Sequence, residues 1–419
     1  MSISNSKNIG FRDALSYFSG KEKRFQKIIG IFAILMSFNS ILVLGSNISI
    51  FVFVFFILIY ISRFSLFSLK YSPHFIIFGF IFGVFLSVID VNASGENPMS
   101  RSLIVLPNYI YWALLCIILI NLRDYLEIPW ISRNLLIGLI LTLIFYQFRK
   151  TLNFSFLKSS TPNSYAFVLV CFSAVTVSYI KIRYGMIRAL MFLGVILASM
   201  LSLERRAGFV LVLISSLISL FLGKIKLNTI LTSGISAITL FVILQLSFVE
   251  NYLAVASPRI YELLYENDEL ASTDQSYLTR LAMTEKGLTI FSQNPLTGIG
   301  LNNFTNNYVE LAGNFKGSEL IINKLDLNTK SAHSSYIVFL SEGGLFVFVP
   351  FICLFLYNLF HFVIAYNRRK PLENAYYLSL ISMFIHLYFI SEIVNVFAWF
   401  LIGVVSSLSV KYSLVRKSA

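Results

Sequence analysis

The sequence predicts an all-α membrane protein that crosses the bilayer about twelve times, and composition, apolar runs and charge distribution each support this. Of the 419 residues, 57% are hydrophobic and only 13% are charged. A typical soluble domain has roughly 45–50% apolar and about 25% charged residues. Apolar runs recur along the whole chain, and about 20 apolar residues are needed to cross a hydrocarbon layer of roughly 30 Å. The bilayer is therefore the expected solvent.

Twelve apolar segments are expected to form the spans, nine before a long polar segment and three after it. They lie near residues 26–45, 47–62, 72–91, 103–122, 131–148, 164–181, 186–203, 208–223, 227–249, 334–365, 372–394 and 395–411. The resulting organisation is a tail at 1–25, spans within 26–249, a long loop at 250–332, spans within 333–411 and a tail at 412–419.

The positive charges predict the orientation of these spans. If the N-terminus is cytoplasmic, 21 of the 33 basic residues fall on the cytoplasmic side, whereas loop 250–332 has six basic residues against ten acidic ones. Because lysine and arginine in short loops stay in the cytoplasm, we expect both termini inside and loop 250–332 outside. The net charge of +13 is then mainly a topology signal. No basic patch with interleaved aromatic residues supports binding of nucleic acid.

Two short outer loops break this pattern because they are basic. One contains Arg149 and Lys150, and the other contains Arg205 and Arg206. Such residues are often solvated helix ends whose side chains reach the membrane interface. The alternative is a binding site for an anion on the outer face, and the charge pattern leaves both interpretations open.

The long outer loop is expected to contain short helices, and Arg280 lies on the clearest of them. Apolar residues recur at helical spacing between Leu278 and Phe291, and Asn294-Pro295 with two following glycines then ends the helix. Loops of this length are usually either functional or disordered. An arginine on an amphipathic helix is by default solvated, so this pattern alone assigns Arg280 no role.

His333 stands where the long loop enters the tenth predicted span, on the same side as Arg206 and Arg280. Imidazole can accept a proton near neutral pH, so a catalytic base is one interpretation. An interfacial structural residue is the other. The remaining histidines fall on the cytoplasmic half or within spans, where we expect structural roles; they are His74, His361 and His386.

These segments, taken in order, resemble the O-antigen ligase and Wzy-type polysaccharide polymerase family. The resemblance covers about residues 195–360 and rests on four segments. They are Leu203-Glu204-Arg205-Arg206-Ala207-Gly208, Leu278-Thr279-Arg280-Leu281-Ala282-Met283, Asn294-Pro295-Leu296-Thr297-Gly298-Ile299-Gly300-Leu301-Asn302-Asn303-Phe304, and His333-Ser334-Ser335-Tyr336-Ile337 with Glu342-Gly343-Gly344-Leu345 behind it. Ser334 departs from the family, since many members have asparagine after the histidine.

The resemblance implies a membrane glycosyltransferase whose donor is a glycan on a polyprenyl diphosphate such as undecaprenyl diphosphate. An acceptor hydroxyl would attack the anomeric carbon with inversion, and the lipid diphosphate would leave. By this resemblance His333 is the expected base, and Arg206 and Arg280 stabilise the leaving diphosphate. Guanidinium groups suit that role because they bind phosphate oxygens in a bidentate manner.

Three further residues are expected to contact the diphosphate or an acidic glycan, namely Arg205, Arg149 and Lys150. The double arginine leaves open whether Arg205 or Arg206 is the functional one, and we favour Arg206 because Ala207-Gly208 follows it. The sequence has no Asp-x-Asp pair or His/carboxylate cluster on the outer face, so we expect a metal-independent enzyme without a cofactor.

Three functions are compatible with the sequence. A ligase would transfer a finished polysaccharide to a lipid A-core acceptor on the periplasmic face of the inner membrane. A polymerase would transfer the growing chain to the next carrier-linked repeat unit, with the same donor and bond chemistry. A transporter of the lipid-linked polysaccharide is the weakest option, because transporters tend to have ionisable residues near the midplane of the bilayer.

Overall fold

The computed structural model describes residues 20–38, 69–94, 96–148, 162–203, 206–221, 275–311, 331–366, 370–390 and 396–418. These ranges fold into α-helices and one 3-10 turn, without a β-strand. The helices are α1 (Gly20–Phe38), α2 (Ser72–Ile89), α3 (Pro98–Asn121), α4 (Ile128–Phe148), α5 (Pro162–Tyr184), α6 (Met186–Leu201), α7 (Arg206–Phe221), α8 (Gln275–Gln293), α9 (Ser335–Ala365), α10 (Pro371–His386) and α11 (Val396–Ser418), and the 3-10 turn is Phe304–Asn306.

The chain is a multi-pass membrane protein. Six of the described helices, α2, α3, α4, α5, α9 and α11, contain stretches long and apolar enough to cross a bilayer, and shorter apolar stretches occur in α1, α6 and α7. Large apolar side chains on the helix surfaces, such as Phe75 and Val363, are exposed, as expected where lipid replaces water. The spans predicted at 47–62 and 227–249 lie outside the described residues, so the number twelve stays a prediction.

The span predicted at 372–394 differs from the structure. Helix α10 ends at His386, and the chain turns through residues 387–389. The turn is closed by a hydrogen bond of 2.8 Å from the amide of Phe389 to the carbonyl of His386. Apolar residues continue past the helix end, so a hydropathy pattern has no signal for this turn.

The core is formed by helices that pack through aromatic side chains. Phe80 of α2 contacts Trp399 of α11 with ring centroids 5.0 Å apart, and Phe339 contacts Phe351 within α9 at 4.8 Å. Helix α5 lies deepest, because its side chains are buried without interruption from Tyr165 to Ile180. A helix that is apolar all round is expected in such an interior position.

Helix α9 is interrupted near its beginning. Gly344 has φ +60° and ψ −162°, so the helical backbone breaks there and resumes after it. Helix α2 passes directly against this break: a Cβ built on Gly83 would lie 2.1 Å from the carbonyl oxygen of Phe346. Only a glycine allows this approach of the two backbones. The first section of α9, residues 335–343, is thereby set apart from the long section that follows.

The connection between α2 and α3 packs on the segment that follows α8. Ser102 donates a hydrogen bond of 2.9 Å to the carbonyl of Leu301, and the amide of Ser94 donates one of 2.8 Å to Oδ1 of Asn307. The end of α2, the beginning of α3 and residues 297–307 therefore meet at one end of the helical bundle. We call this end, which also includes the beginning of α9, the site end.

Candidate functional site

Helix α8 is attached to the beginning of α9 by a small apolar cluster, which we call the loop core. Its buried members are Leu278, Ala282, Met283, Ile290, Ile299, Phe304, Val309, Ala332 and Ile337. The helix predicted between Leu278 and Phe291 is thus present as α8, slightly longer than predicted. Its apolar face is buried against protein, which fixes its position at the site end.

Helix α8 runs parallel to the first section of α9. A Cβ on Gly287 would lie 2.1 Å from Cγ2 of Ile337, and the amide of Leu345 donates a hydrogen bond of 2.8 Å to the carbonyl of Pro295. The two residues of each pair are fifty positions apart in sequence, so α8 and the first section of α9 run in the same direction. Arg280 precedes Gly287 by seven residues, or about two helical turns. It therefore lies on the side of α8 that faces α9, ahead of the first residue of that helix.

His333 is the second residue before α9 and is half-buried. The residues on both sides of His333 are held by contacts. Ala332 is buried in the loop core. The amide of Ser335 donates to the carbonyls of Leu387 and Ile390, both at 2.9 Å. Between these anchors His333 adopts φ +51°, in the left-handed region that is uncommon for residues other than glycine.

Arg280 and His333 each adjoin members of the loop core. Arg280 is half-buried, between two residues of the loop core, Leu278 and Ala282, to which Ala332 also belongs. Its backbone carbonyl accepts a hydrogen bond of 2.8 Å from the hydroxyl of Thr284. A cation and an imidazole at the edge of one buried cluster form a suitable place for an anionic substrate that reacts with a hydroxyl.

Arg206 is the first residue of α7, and its backbone lies at the same end of the molecule. Two residues further on, a Cβ on Gly208 would lie 3.4 Å from Cε1 of His386, at the end of α10. The turn that follows His386 accepts the hydrogen bonds of Ser335. The end of α10 therefore contacts both the beginning of α7 and the beginning of α9. Arg205, Arg149 and Lys150 lie outside the described residues.

Glu342 is a buried residue of this end whose role the sequence analysis missed. It is 5% exposed, and its carboxylate accepts hydrogen bonds from the amides of Asn302 at 2.8 Å and Phe304 at 2.9 Å. Its side chain thus holds the turn that contributes Phe304 to the loop core. An acidic residue within an apolar span was the available signal, because such residues rarely occur there without a role.

The backbone of residues 295–304, which we call the 295–304 loop, pairs with the interruption of α9. The amide of Ile299 donates to the carbonyl of Ser341 at 2.9 Å, and that of Gly300 to Glu342 at 3.0 Å. Gly298 has φ +69°, and a Cβ built on it would lie 2.4 Å from the carbonyl carbon of Glu342. The two glycine-containing segments of the sequence resemblance are therefore one packed unit.

Lys286 is a second residue whose role was missed. Its side chain is fully buried on α8, and its Nζ lies 4.9 Å from the centroid of the Phe304 ring. A cation at this distance from an aromatic face is attracted by the ring quadrupole. Lys286 therefore contributes to the attachment of α8 to the 295–304 loop. Across the described part of the chain, no group of three or more His, Cys, Asp or Glu side chains is arranged to hold a metal ion.

The family model described as O-antigen ligase matches residues 189–352, which is less than half of the chain. The matched range begins in α6 and ends within α9, so it includes Arg206, Arg280, His333 and Glu342 and leaves out Arg149 and Lys150. No match is found among curated proteins.

Proposed function

The chain is a member of the O-antigen ligase family, and from this membership we propose that it is an O-antigen ligase of the bacterial inner membrane. The donor is a polysaccharide on undecaprenyl diphosphate, and the acceptor is a hydroxyl of lipid A-core on the periplasmic face. The family implies a glycosyltransferase-like activity; the acceptor and the side of the membrane belong to our proposal.

The observation that supports this proposal is that Arg280 and His333 both adjoin members of the loop core, while the end of α10 contacts the beginnings of α7 and α9. His333 accepts the proton of the acceptor hydroxyl as its oxygen bonds to the anomeric carbon. The bond from that carbon to the diphosphate oxygen breaks, and inversion follows because the two oxygens lie on opposite faces. Arg280 and Arg206 bind the diphosphate as its negative charge grows.

A polymerase is the second candidate, because it would use the same donor and the same bond chemistry. Only the acceptor differs, so the roles of His333 and the arginines would be unchanged. A strain that lacks the gene distinguishes the two. For a ligase, we expect long carrier-linked chains that remain unattached. Single repeat units attached to lipid A-core would instead identify a polymerase and contradict the ligase assignment.

The site is tested by His333→Ala and Arg280→Ala in the purified full-length protein. We expect each variant to lower the rate of glycan transfer on the order of a hundredfold or more, since loss of a proton acceptor or of an electrostatic donor typically has such an effect. Arg188→Ala is the matched control, because Arg188 is exposed at the beginning of α6, the end of this helix that lies away from the site end. Full activity of both variants, with unchanged thermal unfolding, would refute the site.

Metal independence is tested separately by transfer in the presence of excess chelator. We expect an unchanged rate, because the proposed roles of the base and of the charge stabiliser are taken by side chains. Loss of activity that a divalent ion restores would contradict this part of the proposal.

A further inference from the structure

A third arginine of the described residues, Arg101, lies at the site end, and one of its N–H groups has no hydrogen-bond partner there. Arg101 is in the first turn of α3 and is half-buried. Its Nη1 is buried, and no hydrogen-bond acceptor reaches it within the described residues. A buried polar group without a partner costs about 1–3 kcal/mol, and more when it is charged. Such a group at the edge of a site indicates a ligand that supplies the missing acceptor.

Two carboxylates at the site end, those of Glu342 and Asp90, are already engaged elsewhere. Glu342 accepts the amide hydrogen bonds of Asn302 and Phe304, and Asp90 accepts a hydrogen bond of 2.6 Å from the hydroxyl of Thr297. Neither is within ion-pair distance of Arg101. The positive charge of Arg101 is therefore not neutralised by these acidic residues, and an anion is the ligand that matches it.

A second polar group without a partner lies beside the same turn of α3. Asn303 is fully buried, and its Nδ2 donates to the carbonyl of Pro98 at 3.1 Å and to Ser102 at 3.0 Å, which places its amide next to Arg101. Its Oδ1 has no hydrogen-bond donor among the described residues. The same holds for the hydroxyl oxygen of Ser334, which is 5% exposed and adjacent to His333.

Arg101 lies on the side of α3 that contacts α11 further along the helix. Leu119, eighteen residues or about five turns later on the same side of α3, contacts α11, since a Cβ on Gly403 would lie 2.7 Å from its Cδ1. Helix α11 begins only at Val396, and Trp399 already lies level with Cys116, whose Sγ is 3.0 Å from its carbonyl oxygen. The first turns of α3 therefore extend well beyond the described part of α11.

We propose that Arg101 binds the diphosphate group of the lipid-linked donor, together with Asn303, whose Oδ1 accepts a hydrogen bond from a sugar hydroxyl. A glycosyl diphosphate presents both kinds of group that are missing, phosphate oxygens for the guanidinium N–H and hydroxyl donors for the amide oxygen. The inference rests on the proposed function and adds a substrate-binding residue from outside the range matched by the family.

Binding of farnesyl diphosphate to the full-length protein in phosphatidylcholine nanodiscs tests this proposal, with farnesyl phosphate and phosphatidylglycerol as comparison ligands. We expect Arg101→Ala to raise the Kd of farnesyl diphosphate about tenfold or more, which corresponds to one or two lost charge-assisted hydrogen bonds. Arg101→Lys is expected to recover part of the affinity, because it restores the charge but not the planar geometry. Arg188→Ala serves as the control and leaves the Kd unchanged.

The outcomes separate this inference from the proposed function. An unchanged Kd in Arg101→Ala, in a protein whose glycan transfer depends on His333, would overturn the inference and leave the function. So would an equal loss of affinity for phosphatidylglycerol, since that would show contact with a surface lipid only. Arg101-dependent binding of the diphosphate in a protein without glycan transfer would support the inference and overturn the function.

Discussion

At the scale of single residues, His333 combines a strained backbone with a chemically competent side chain. A non-glycine residue in the left-handed region costs roughly 1–2 kcal/mol, and such strain persists only where the surroundings determine the conformation. Here the burial of Ala332 on one side and the two hydrogen bonds of Ser335 on the other determine the backbone conformation of His333. Contacts of the two neighbouring residues thus hold the backbone conformation at His333.

This strain predicts different effects of two substitutions on stability and the same effect on activity. His333→Gly removes the strain, whereas His333→Ala retains it, so we expect the glycine variant to be more stable by about 1 kcal/mol. Both variants should be inactive in glycan transfer. Denaturant unfolding in detergent measures the difference, and an alanine variant at least as stable as the glycine variant would contradict it.

At the scale of elements, the 295–304 loop and the interruption of α9 form a single structural unit that fixes the position of α8. The unit depends on glycines at positions where backbones touch. A Cβ on Gly344 would lie 2.3 Å from the carbonyl oxygen of Leu296, and Gly298 meets Glu342 with similar closeness. Backbone atoms cannot move aside as a flexible side chain can, so the contact excludes any larger residue.

Gly298→Ala is therefore expected to destabilise the protein by about 2 kcal/mol or more, since it combines a clash with an unfavourable positive φ. Gly194→Ala is the matched control. Gly194 lies within α6 with nothing near its Cβ position, so alanine there should stabilise the helix by about 0.5–1 kcal/mol. Thermal unfolding measures both changes, and equal effects of the two substitutions would refute the packed unit.

Glu342 provides a second test of this unit. Glu342→Ala leaves the amides of Asn302 and Phe304 without acceptors, at a cost of about 1–3 kcal/mol for the buried amide of Phe304. Glu342→Gln retains one acceptor oxygen and should be intermediate. We expect amide hydrogen exchange at Asn302 and Phe304 to become faster in that order. Exchange that stays as slow in Glu342→Ala as in the unmodified protein would mean that other contacts hold the turn.

The sequence predicted individual elements better than their contacts. Helix α8 and the apolar helices α2 to α7 follow from periodicity and hydropathy, because those signals are local. The break at Gly344 was not predicted, since apolar residues continue through it and its stabilising bonds come from residues about forty-five positions earlier, at Ile299 and Gly300. Glu342 was missed for the same reason, because its partners are backbone amides and no sequence pattern identifies them.

At the scale of the whole molecule, the candidate site depends on how distant segments meet. The sequence predicted that Arg206, Arg280 and His333 lie on one membrane face, but only the structure shows that the end of α10 connects the beginnings of α7 and α9. It also shows that the beginning of α3 contacts Leu301 and Asn303, which no motif indicated. Which face of the membrane this end occupies remains a prediction from the charges.

That orientation is tested by cysteine labelling from one side of the membrane. Tyr308 is 71% exposed at the site end, and Arg188 is exposed at the beginning of α6, whose other end meets Gly208 of the site end. In a variant without the three native cysteines, we expect Tyr308→Cys to react with an impermeant maleimide added to intact spheroplasts. Arg188→Cys should react only after permeabilisation, because lysine and arginine in short loops are retained inside. The reverse pattern would place the site end in the cytoplasm and exclude a periplasmic acceptor. Labelling of both positions in intact spheroplasts would contradict the placement of these two residues on opposite sides of the membrane.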